Sequence, residues 1–578
     1  MKIIVESSLS GKAWVAEQEA EKQKSDGIVS GILNSRGIAG PAEINTFLNP
    51  SIKDQMPDPF IMKDMERAVA IASDAVLAGK KIAVFGDYDV DGITSTAIVL
   101  KYLRHIGCDP LWHLPSREGE GYGLNIEAIE DLAAKGAQVL ISVDCGISGA
   151  AEVARAKELG LSVIITDHHS PDSEIPAADA VVNPKRVDDE SGLHYLAGVG
   201  VAFMFLVALN RKIRETRSES QSPNLMEYMD LVALGTICDM MPLVGLNRAF
   251  AATGLKVMEA QKNTGLRALM RVAGAKRANA YVASFVLGPR LNAAGRLDSA
   301  TPGLQLLLTD NDGTAGFLAQ QLNDMNKERM EIQNSIMTRA LELAEQACKT
   351  GKKCLFLVGD GWHKGVMGII AGRLKDRFQV PACVATKSDG IIDGSGRSVQ
   401  GVDLGRIIHD ALCAGILTDG GGHAAAAGFC LAEGKEAEFC EFFENAVCDQ
   451  LGGCPPRMEI SVDAELDAGG ANMGLVREMS AMEPFGQENP EPVLAVGGAE
   501  LAYAAAMGNG GVHLRGSLRT SAGTMLNFVG FNLTRTPIGE FLLDEANIGR
   551  KIRLCGKLQA NEYNGRTSAQ FVIEDVAV

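Results

Sequence analysis

Two stretches of the chain alternate short apolar runs with amphipathic segments, which is typical of α/β folds. In the first stretch, from Lys81 to about Asp167, apolar runs typical of buried strands alternate with amphipathic helices. The elements predicted there are the strand Lys81–Phe85, the helix Thr94–His105, the strand Gln138–Val143, the helix from about Ser148 to Leu159 and the strand Ser162–Thr166. This order of elements predicts a parallel sheet with crossover helices.

Three helical stretches and a second α/β pattern follow. Two mainly helical stretches are predicted at about Gly198–Arg214 and Leu225–Ile237. The residues from about Thr314 to Lys349 contain no proline or turn signal and are rich in Gln, Glu, Met, Ala and Leu. That composition predicts one long helix connecting two domains. The second α/β pattern begins with the strand Cys354–Val358 and runs to roughly Asp449.

Beyond Pro455 the chain turns to alternating, strand-like stretches. They are Val512–Leu518, Met525–Asn532 and Arg550–Gln559. A small β-barrel of the OB type fits this pattern, although periodicity alone does not separate a barrel from a sandwich.

Length and composition narrow the class of protein. With 578 residues, of which 46% are hydrophobic and 22% charged, the chain is expected to form several globular domains. The amino terminus shows no secretory signal, and the longest apolar run, Leu196–Leu209, is shorter than the roughly 20 residues of a membrane-spanning helix. We interpret that run as a buried helix. The twelve cysteines include no CxxC pair, which favours a reduced cytoplasmic protein over a zinc ribbon.

The net charge of −17 has the wrong sign for a protein that binds nucleic acid through its overall field. A nucleic-acid-binding protein with this balance must rely on local arginines, backbone amides and bound cations. Part of its acidity would then belong to metal ligands, whose charge a divalent ion offsets.

The most informative motif is GDYDVDGITS, Gly86–Ser95, in which three aspartates directly follow a buried strand. They are Asp87, Asp89 and Asp91. In an open α/β sheet, ligands bind beyond the carboxyl ends of the strands, so these acids stand where a site is expected. A solvated run of charges is the alternative interpretation. An EF-hand loop would need a glutamate at its twelfth position, where this chain has Ile98, and a preceding helix instead of a strand.

The same arrangement recurs after the next two strands. Asp144 ends the second, and Asp167, His168 and His169 end the third. Neighbouring side chains of a strand point to opposite faces, so we expect one histidine to bind metal and the other to donate to phosphate. Clustered carboxylates stay ionised only beside cations. Two divalent ions, manganese or magnesium, are the economical solution, and they suit hydrolysis of a phosphoester or phosphoanhydride.

These residues resemble the DHH phosphoesterases, a superfamily with an Asp-His-His motif, and the RecJ branch most closely. Four segments match its motifs in order: GDYDVDGITS, VDCGISG, TDHHSPDSEIPAADAVVNPK and TICDMMPL. The resemblance implies that five residues ligate the metals, namely Asp89, Asp91, Asp144, His168 and Asp239, with Asp144 as the bridge. It implies catalytic roles close by for Asp87, Asp167 and His169, with His169 acting on the scissile phosphate.

Further segments are similar to the RecJ branch and supply candidates for substrate binding. The segment Leu114–Leu124 offers Arg117 and Tyr122, and GPRLNAAGRL, Gly288–Leu297, offers Arg290, Asn292 and Arg296. In the second α/β region the candidates are His363, Ser395, Arg397, Gly421, Gly422 and His423. Glycines let a backbone approach phosphate and the polar side chains supply donors, but arginines also serve structural roles and glycine runs are often turns.

The resemblance also implies the domain organisation of an α/β protein. Its parts are an N-terminal segment (1–60), a DHH phosphoesterase domain with a parallel sheet (61–310), a connecting helix (311–350), a DHH-associated α/β domain (351–453) and a C-terminal OB-fold (454–578). The segment PFGQENPEP, Pro484–Pro492, is similar to the RecJ segment before its OB-fold. The chain departs from the family at Glu488, where glycine is usual, and at Lys364, where an acidic residue is usual.

The function implied is 5′-to-3′ hydrolysis of single-stranded DNA in recombination and repair. A DHH enzyme acting on short oligonucleotides or cyclic dinucleotides is the second hypothesis, and an inactive replication scaffold is the third. The resemblance further implies a monomer in the cytoplasm, with a single-strand-binding protein and a RecQ-type helicase as partners. The intact set of acids and imidazoles favours the enzymes over the scaffold.

Overall fold

The chain forms two compact units, one built from residues 58–239 and 254–456 and the other from residues 1–57, 240–253 and 457–578. The structure is a computed structural model that describes residues 2–16, 27–117, 119–171, 174–216, 222–349, 351–388, 390–452, 458–563 and 565–578. The predicted boundary between residues 453 and 454 lies outside the described residues. Among the residues described, no helix combines the length and the apolar character needed to cross a membrane.

The first unit contains a five-stranded sheet in which every neighbouring pair is parallel. Three of its strands were predicted, and two short ones were not. In spatial order the strands are Leu111–His113, Ile82–Gly86, Val139–Val143, Ser162–Thr166 and Ala180–Val182. Gly86, Val143 and Thr166 stand in register, so the three central strands end at one edge. The predicted parallel sheet is therefore confirmed.

Helices surround this sheet and continue beyond it. The helix predicted from Thr94 begins one turn earlier, at Val90, because the carboxylate of Asp89 caps it by accepting from the N–H of Gly92, at 3.0 Å. The helices are Met65–Leu77, Val90–His105, Ile126–Ala134, Ala150–Glu158, Gly198–Thr216, Met229–Cys238, Gly245–Glu259, Thr264–Val272, Gly288–Leu297, Thr301–Leu308 and Asp312–Lys349. The last, with 38 residues, confirms the predicted connecting helix.

A second sheet of five strands follows the connecting helix. In spatial order its strands are Asp419–His423, Ala426–Ala432, Ile391–Arg397, Ala382–Ser388 and Leu355–Asp360, the last pair parallel and the others antiparallel. The helices Lys364–Phe378, Leu404–Cys413 and Glu436–Gln450 accompany it. Apolar residues from this sheet and its helices, including Phe429, Phe439 and Phe443, form a core of their own.

The other unit contains the predicted barrel. Its strands are Leu494–Met507, His513–Thr520, Met525–Gly530, Arg566–Ala577 and Lys551–Tyr563, in spatial order. The strand Leu494–Met507 pairs with both His513–Thr520 and Lys551–Tyr563, which closes the sheet and excludes a sandwich. Three residues of the helix Ile28–Ser35 enter the barrel core. The unit also contains the helices Pro41–Leu48, Ile52–Gln55, Met473–Ser480 and Pro537–Leu543 and the strands Lys2–Val5, Ala13–Ala16, Glu459–Ser461 and Ala464–Asp467.

The segment Pro484–Pro492 joins the pieces of this unit through buried polar groups. Asn489 is 1% exposed, and its amide donates to the carbonyls of Met482 and Pro484. The buried Arg248 donates to the carbonyls of Met482, Glu483, Pro484 and Phe47. Glu488, one of the two positions at which the chain departs from the pattern it resembles, has a φ of 57°, in the left-handed region that glycine prefers.

Candidate metal centre

Four aspartates and a histidine lie in one cluster, and all but the half-buried Asp239 are buried. Asp87 follows the strand Ile82–Gly86, Asp144 follows Val139–Val143, and His168 lies just beyond Ser162–Thr166. Asp91 lies in the first turn of the next helix and Asp239 directly after the helix Met229–Cys238. The structure therefore brings together residues up to 152 positions apart, Asp87 and Asp239.

Glycine at two positions allows this cluster to form. A Cβ atom on Gly92 would lie 2.4 Å from the carbonyl oxygen of Asp87, and one on Gly198 would lie 2.3 Å from Oδ1 of Asp144. The N–H groups of Gly198 and Val199, at the start of a helix, donate to the carboxylate of Asp91 at 2.6 and 2.9 Å. Reasoning from sequence did not identify Gly198, because its role is to leave space.

Asp144 has a strained backbone at the centre of the cluster. Its φ is 60°, in the left-handed region that residues other than glycine rarely adopt, and its side chain is buried. Such strain is commonly retained where a functional side chain must be held in a fixed direction. Asp144 belongs to two groups of three residues whose ligand atoms lie within 4.8 Å of one another, one with Asp87 and Asp89 and one with His168 and His169.

His168 directs an unprotonated nitrogen at the carboxylates. Its Nδ1 donates to the carbonyl of Leu196 at 3.1 Å, which leaves Nε2 as the acceptor nitrogen of the neutral ring. Burial, with the neighbouring His169, lowers the pKa of His168 to about 3. Nε2 lies 3.1 Å from Asp144 Oδ1, 3.5 Å from Asp239 Oδ2 and 3.8 Å from Asp91 Oδ2. A lone pair that faces three carboxylates is the arrangement in which a metal cation between them is strongly favoured.

Several buried polar atoms of the cluster have no hydrogen-bond partner, and these atoms show that the cluster is suited to metals. Four buried atoms have no hydrogen-bond partner: Asp87 Oδ1, Asp144 Oδ1, His168 Nε2 and Asp239 Oδ2. Buried polar atoms are normally paired, so four acceptor atoms that converge without partners fit the binding of cations. Asp91, His168 and Asp239 form one group at ligand distance, and Asp87, Asp89 and Asp144 form another. Oxygen ligands with one imidazole suit manganese or magnesium. Asp87, predicted only to act nearby, thus lies at ligand distance itself.

Asp167 supports the site from behind. Its carboxylate is fully buried and accepts from the N–H groups of Ile147, His168 and His169 and from the ring of His169, at 2.7 to 3.1 Å. Burial opposes its ionisation, but these bonds and the charge of His169 outweigh burial and hold the pKa of Asp167 at about 2. Asp167 therefore positions both histidines. The hydroxyl of Tyr122 lies 2.9 Å from Nδ1 of His169.

Arginines lie beside the acids. The residues Asp87–Asp91 are called here the acidic turn, and Arg117 stacks over the ring of Tyr88 in this turn at 5.5 Å. A Cβ atom on Gly295 would lie 2.9 Å from the carbonyl oxygen of Tyr88, so the residue before Arg296 is in close contact with the acidic turn. The guanidinium of Arg296 donates to the carbonyl of Gly365, and burial lowers its pKa to about 10. Nδ1 of His363 accepts from the N–H of Gly365. These side chains link the acidic turn to the second sheet.

Four of the five candidates in the strands of the second sheet share one face, and Gly422 is the exception. Ser395 and Gly421 both pair with Gly428, and Arg397 and His423 both pair with Ala426, so the four residues occupy two adjacent rows. Oγ of Ser395 accepts from Arg397 at 3.2 Å, and a Cβ atom on Gly368 would lie 2.8 Å from the guanidinium of Arg397. Gly422 has a φ of 154°, and a side chain there would meet Ala426 and Ala427.

Arg290 and Asn292 lie on the same helix as Arg296. The guanidinium of Arg290 turns to the connecting helix, where it donates to Asn323 at 3.1 Å, and also to the carbonyl of Val286 at 2.6 Å. Neither acceptor is charged. Asn292 stands about one turn before Arg296. The structure thus places Arg296, more directly than Arg290, beside the acidic turn.

The acidic cluster should make the metal-free protein less stable as the pH rises. Burial, with the charge of Asp89, raises the pKa of Asp91 to about 7, and burial raises that of Asp239 well above its ordinary value. Between about pH 4 and pH 7 the folded protein retains protons that the unfolded chain has lost, so its free energy of unfolding falls. In chelator, urea unfolding at pH 5 and pH 7.5 should show that Asp239→Asn gains more stability over wild type at the higher pH. An equal difference at both values would contradict this.

Three family models match the chain in the regions described above. They are the DHH family N-terminal domain over residues 81–236, the DHHA1 domain over residues 351–449 and the RecJ OB domain over residues 462–575. Together with the parallel sheet and the clustered acids, these matches define a phosphoesterase of the DHH class.

Curated relatives identify the family within that class. The chain is 37% identical to the single-stranded-DNA-specific exonucleases RecJ of Salmonella typhimurium and Escherichia coli, with 94% of each chain covered. It is also similar to the crystal structure of RecJ in complex with Mn²⁺ from Thermus thermophilus, with a TM-score of 0.77 and 28% identity over 96% of this chain and 77% of that one. A second crystal structure, of exonuclease RecJ bound to manganese, has a TM-score of 0.59 and 33% identity and covers 68% and 97% of the two chains. The chain belongs to the RecJ family.

Proposed function

We propose that the protein is a metal-dependent exonuclease that hydrolyses single-stranded DNA from its 5′ end and releases mononucleotides. The observation that carries this proposal is the cluster of unsatisfied carboxylate oxygens and the His168 nitrogen at the carboxyl edge of the sheet, with arginines beside it. A phosphodiester complements both parts, because metals bind its oxygens and guanidinium groups bind neighbouring phosphates.

Two groups of ligands would hold two cations. Asp87, Asp89 and Asp144 form one group, and Asp91, His168 and Asp239 form the other, with Asp144 near enough to both to be shared. Two bound manganese or magnesium ions would polarise the phosphoryl group and activate the attacking water. The helix N-terminus at Gly198 and Val199 holds the carboxylate of Asp91 in place.

His169 is the residue of the motif that faces the substrate. Its side chain is 38% exposed, whereas that of His168 is 5% exposed. Burial lowers the pKa of His169, but its hydrogen bond to Asp167 and the charge of that carboxylate raise the pKa above its ordinary value overall. The protonated ring therefore donates to an oxygen of the scissile phosphate, while Asp167 fixes its orientation.

Recognition of a 5′-terminal phosphate explains why the enzyme degrades DNA from the 5′ end. Arg117, Arg296 and Arg397 affect one another electrostatically, and no carboxylate among the described residues forms an ion pair with Arg296 or Arg397. Half-buried arginines without a carboxylate partner favour a dianionic group such as a 5′ phosphate. Ser395 and Arg397 bind that phosphate, together with Arg296, so a free 5′ end enters first.

The other implied properties complete the proposal. The C-terminal barrel binds the single-stranded DNA, as OB-folds usually do. The domain boundaries given above, the monomeric state, the cytoplasmic location, and recruitment by a single-strand-binding protein or a RecQ-type helicase stay predictions.

The test is digestion of a long single strand labelled at either end, with and without manganese. The proposal requires that a 5′ label appears at once as a mononucleotide, while a 3′ label stays in long fragments. The reaction should be faster with a 5′ phosphate than with a 5′ hydroxyl. Cleavage of dinucleotides but not long strands would favour the second hypothesis, and absence of any manganese-dependent cleavage would favour the scaffold.

A further inference from the structure

One segment of this acidic protein carries only positive charge. The 38 residues from Ala260 to Leu297, called here the basic segment, contain seven arginines and lysines and no aspartate or glutamate. The chain as a whole has 72 acidic and 55 basic residues. Arg290 and Arg296, near its carboxyl end, are the members considered above. The function proposed for the site does not account for the other five.

Four of those five are exposed and free to meet a ligand. Lys262, Arg271, Lys276 and Arg277 lie on the surface, and none forms an ion pair with any residue that the structure describes. Two acids lie nearby, and one of them is neutralised by an ion pair. Asp312 pairs with Arg267 at 2.8 Å, and Glu259 accepts from the backbone N–H of Ala278. The exposed cations therefore form a local positive surface.

Two exposed aromatic rings stand next to these cations. Tyr281 and Phe285 are 66% and 63% exposed, and their ring centroids lie 5.3 Å apart with an interplanar angle of 34°. They belong to a turn of π-helix, Val282–Leu287, and to the residue before it. Turns of π-helix are rare and frequently mark functional positions. Large apolar rings left in water beside positive charges are typical of surfaces on which nucleic-acid bases stack.

The aromatic pair adjoins the metal centre. The thiol of Cys238, the residue before Asp239, donates to the carbonyl of Ala283 at 3.4 Å. A Cβ atom on Gly288 would lie 2.7 Å from the same sulfur. The helical turn that carries the two rings therefore packs against the residue before the proposed ligand Asp239. Further along the basic segment, Gly295 lies against the carbonyl of Tyr88 in the acidic turn.

We propose that the basic segment binds the part of the single strand that continues beyond the metal centre. Bases stack on Tyr281 and Phe285, while phosphates contact Lys276, Arg277 and Arg271. This inference rests on the proposed function, because it assigns a path to the substrate of that site. The basic segment gives the unit that contains the metal centre a DNA-binding surface of its own, in addition to the barrel.

The charged part of the surface is tested by Lys276→Gln/Arg277→Gln. Each phosphate contact on a single strand contributes about 0.7 to the slope of log K against log salt, so the slope should fall by about 1.4. Fluorescence anisotropy of a labelled strand of about 30 nucleotides, in chelator to prevent cleavage, measures it. The matched control is Lys80→Gln/Lys135→Gln, which removes the same charge from the opposite edge of the sheet and should leave the slope unchanged.

The stacking part is tested by Tyr281→Ala/Phe285→Ala. Stacking on an aromatic side chain contributes about 1–3 kcal/mol per base, so the ratio of KM for a long strand to KM for a dinucleotide should rise by about tenfold or more. A protein-binding role for the rings would leave this ratio unchanged and would overturn the proposal. So would a salt slope for Lys276→Gln/Arg277→Gln equal to that of the control. If wild type cleaves nothing, the proposed function fails, and the anisotropy still decides this inference.

Discussion

Asp144→Asn should lower manganese-dependent hydrolysis of single-stranded DNA by at least about a thousandfold, because several kcal/mol of transition-state stabilisation depend on the metals. Asp144 is the carboxylate shared by two groups of ligand atoms, and its Oδ1 lies 3.1 Å from Nε2 of His168. Asparagine retains the shape of the side chain and tolerates the φ of 60°, which alanine would adopt only with strain. The variant therefore removes charge without forcing the backbone to move. Steady-state rates and bound manganese per chain are the two measurements.

The folded state of the variant provides a check. Burial raises the pKa of Asp144 well above its ordinary value, so a neutral side chain should stabilise the metal-free protein, and its unfolding midpoint in chelator should rise. Asp74→Asn, a change at an exposed acid of the same unit, should alter neither the rate nor the metal content. If Asp144→Asn still bound two manganese ions, its assignment as the shared ligand would be wrong.

The sheet that carries the site was predictable because its strands are buried on both faces. Lys81–Phe85, Gln138–Val143 and Ser162–Thr166 read as continuous apolar runs, and the polar residue that follows each run must lie at the carboxyl edge. The structure confirms those three strands and that edge. The two outer strands were missed because Leu111–His113 and Ala180–Val182 have three residues each, too few to show a period.

Other parts of the site required the folded chain. Asp239 follows a helix, so only its motif identified it, and nothing in the spacing placed it beside His168. The two arginines of Gly288–Leu297 are six residues apart, which rotates them by roughly 240° around a helix. Sequence alone does not tell which of them faces the acids. In the structure Arg290 contacts the connecting helix, and Arg296 contacts Gly365 beside the acidic turn.

Positive charge that is concentrated locally resolves the conflict between a net charge of −17 and a nucleic-acid substrate. Four carboxylates with raised pKa values lie in one buried cluster, where cations would offset them. The arginines beside the cluster have neutral partners such as the carbonyl of Gly365, so their charge stays available to phosphate. The distribution of charge, and not the net charge, therefore indicates that the chain can bind a nucleic acid.

Gly198→Ala should reduce hydrolysis by about a hundredfold although it changes no ligand, since a displacement of about 1 Å at a reacting group can have that effect. A Cβ atom at this position would lie 2.3 Å from Oδ1 of Asp144 and 2.7 Å from its Cβ, so the carboxylate must move. The N–H of Gly198 also donates to Asp91 at 2.6 Å, and any shift of the helix start would disturb a second ligand. Rates and bound manganese should fall together.

Gly200→Ala is the matched control, two residues further along the same helix. A Cβ atom there would meet only the side chain of Leu196, at an ordinary van der Waals distance of 3.4 Å or more. Alanine is a better helix former than glycine by roughly 0.5–1 kcal/mol, so this variant should be slightly more stable and fully active. The absence of a side chain at residue 198 is essential only if the two variants differ. Equal activity of Gly198→Ala and Gly200→Ala would show that Asp144 can relax without losing its metals.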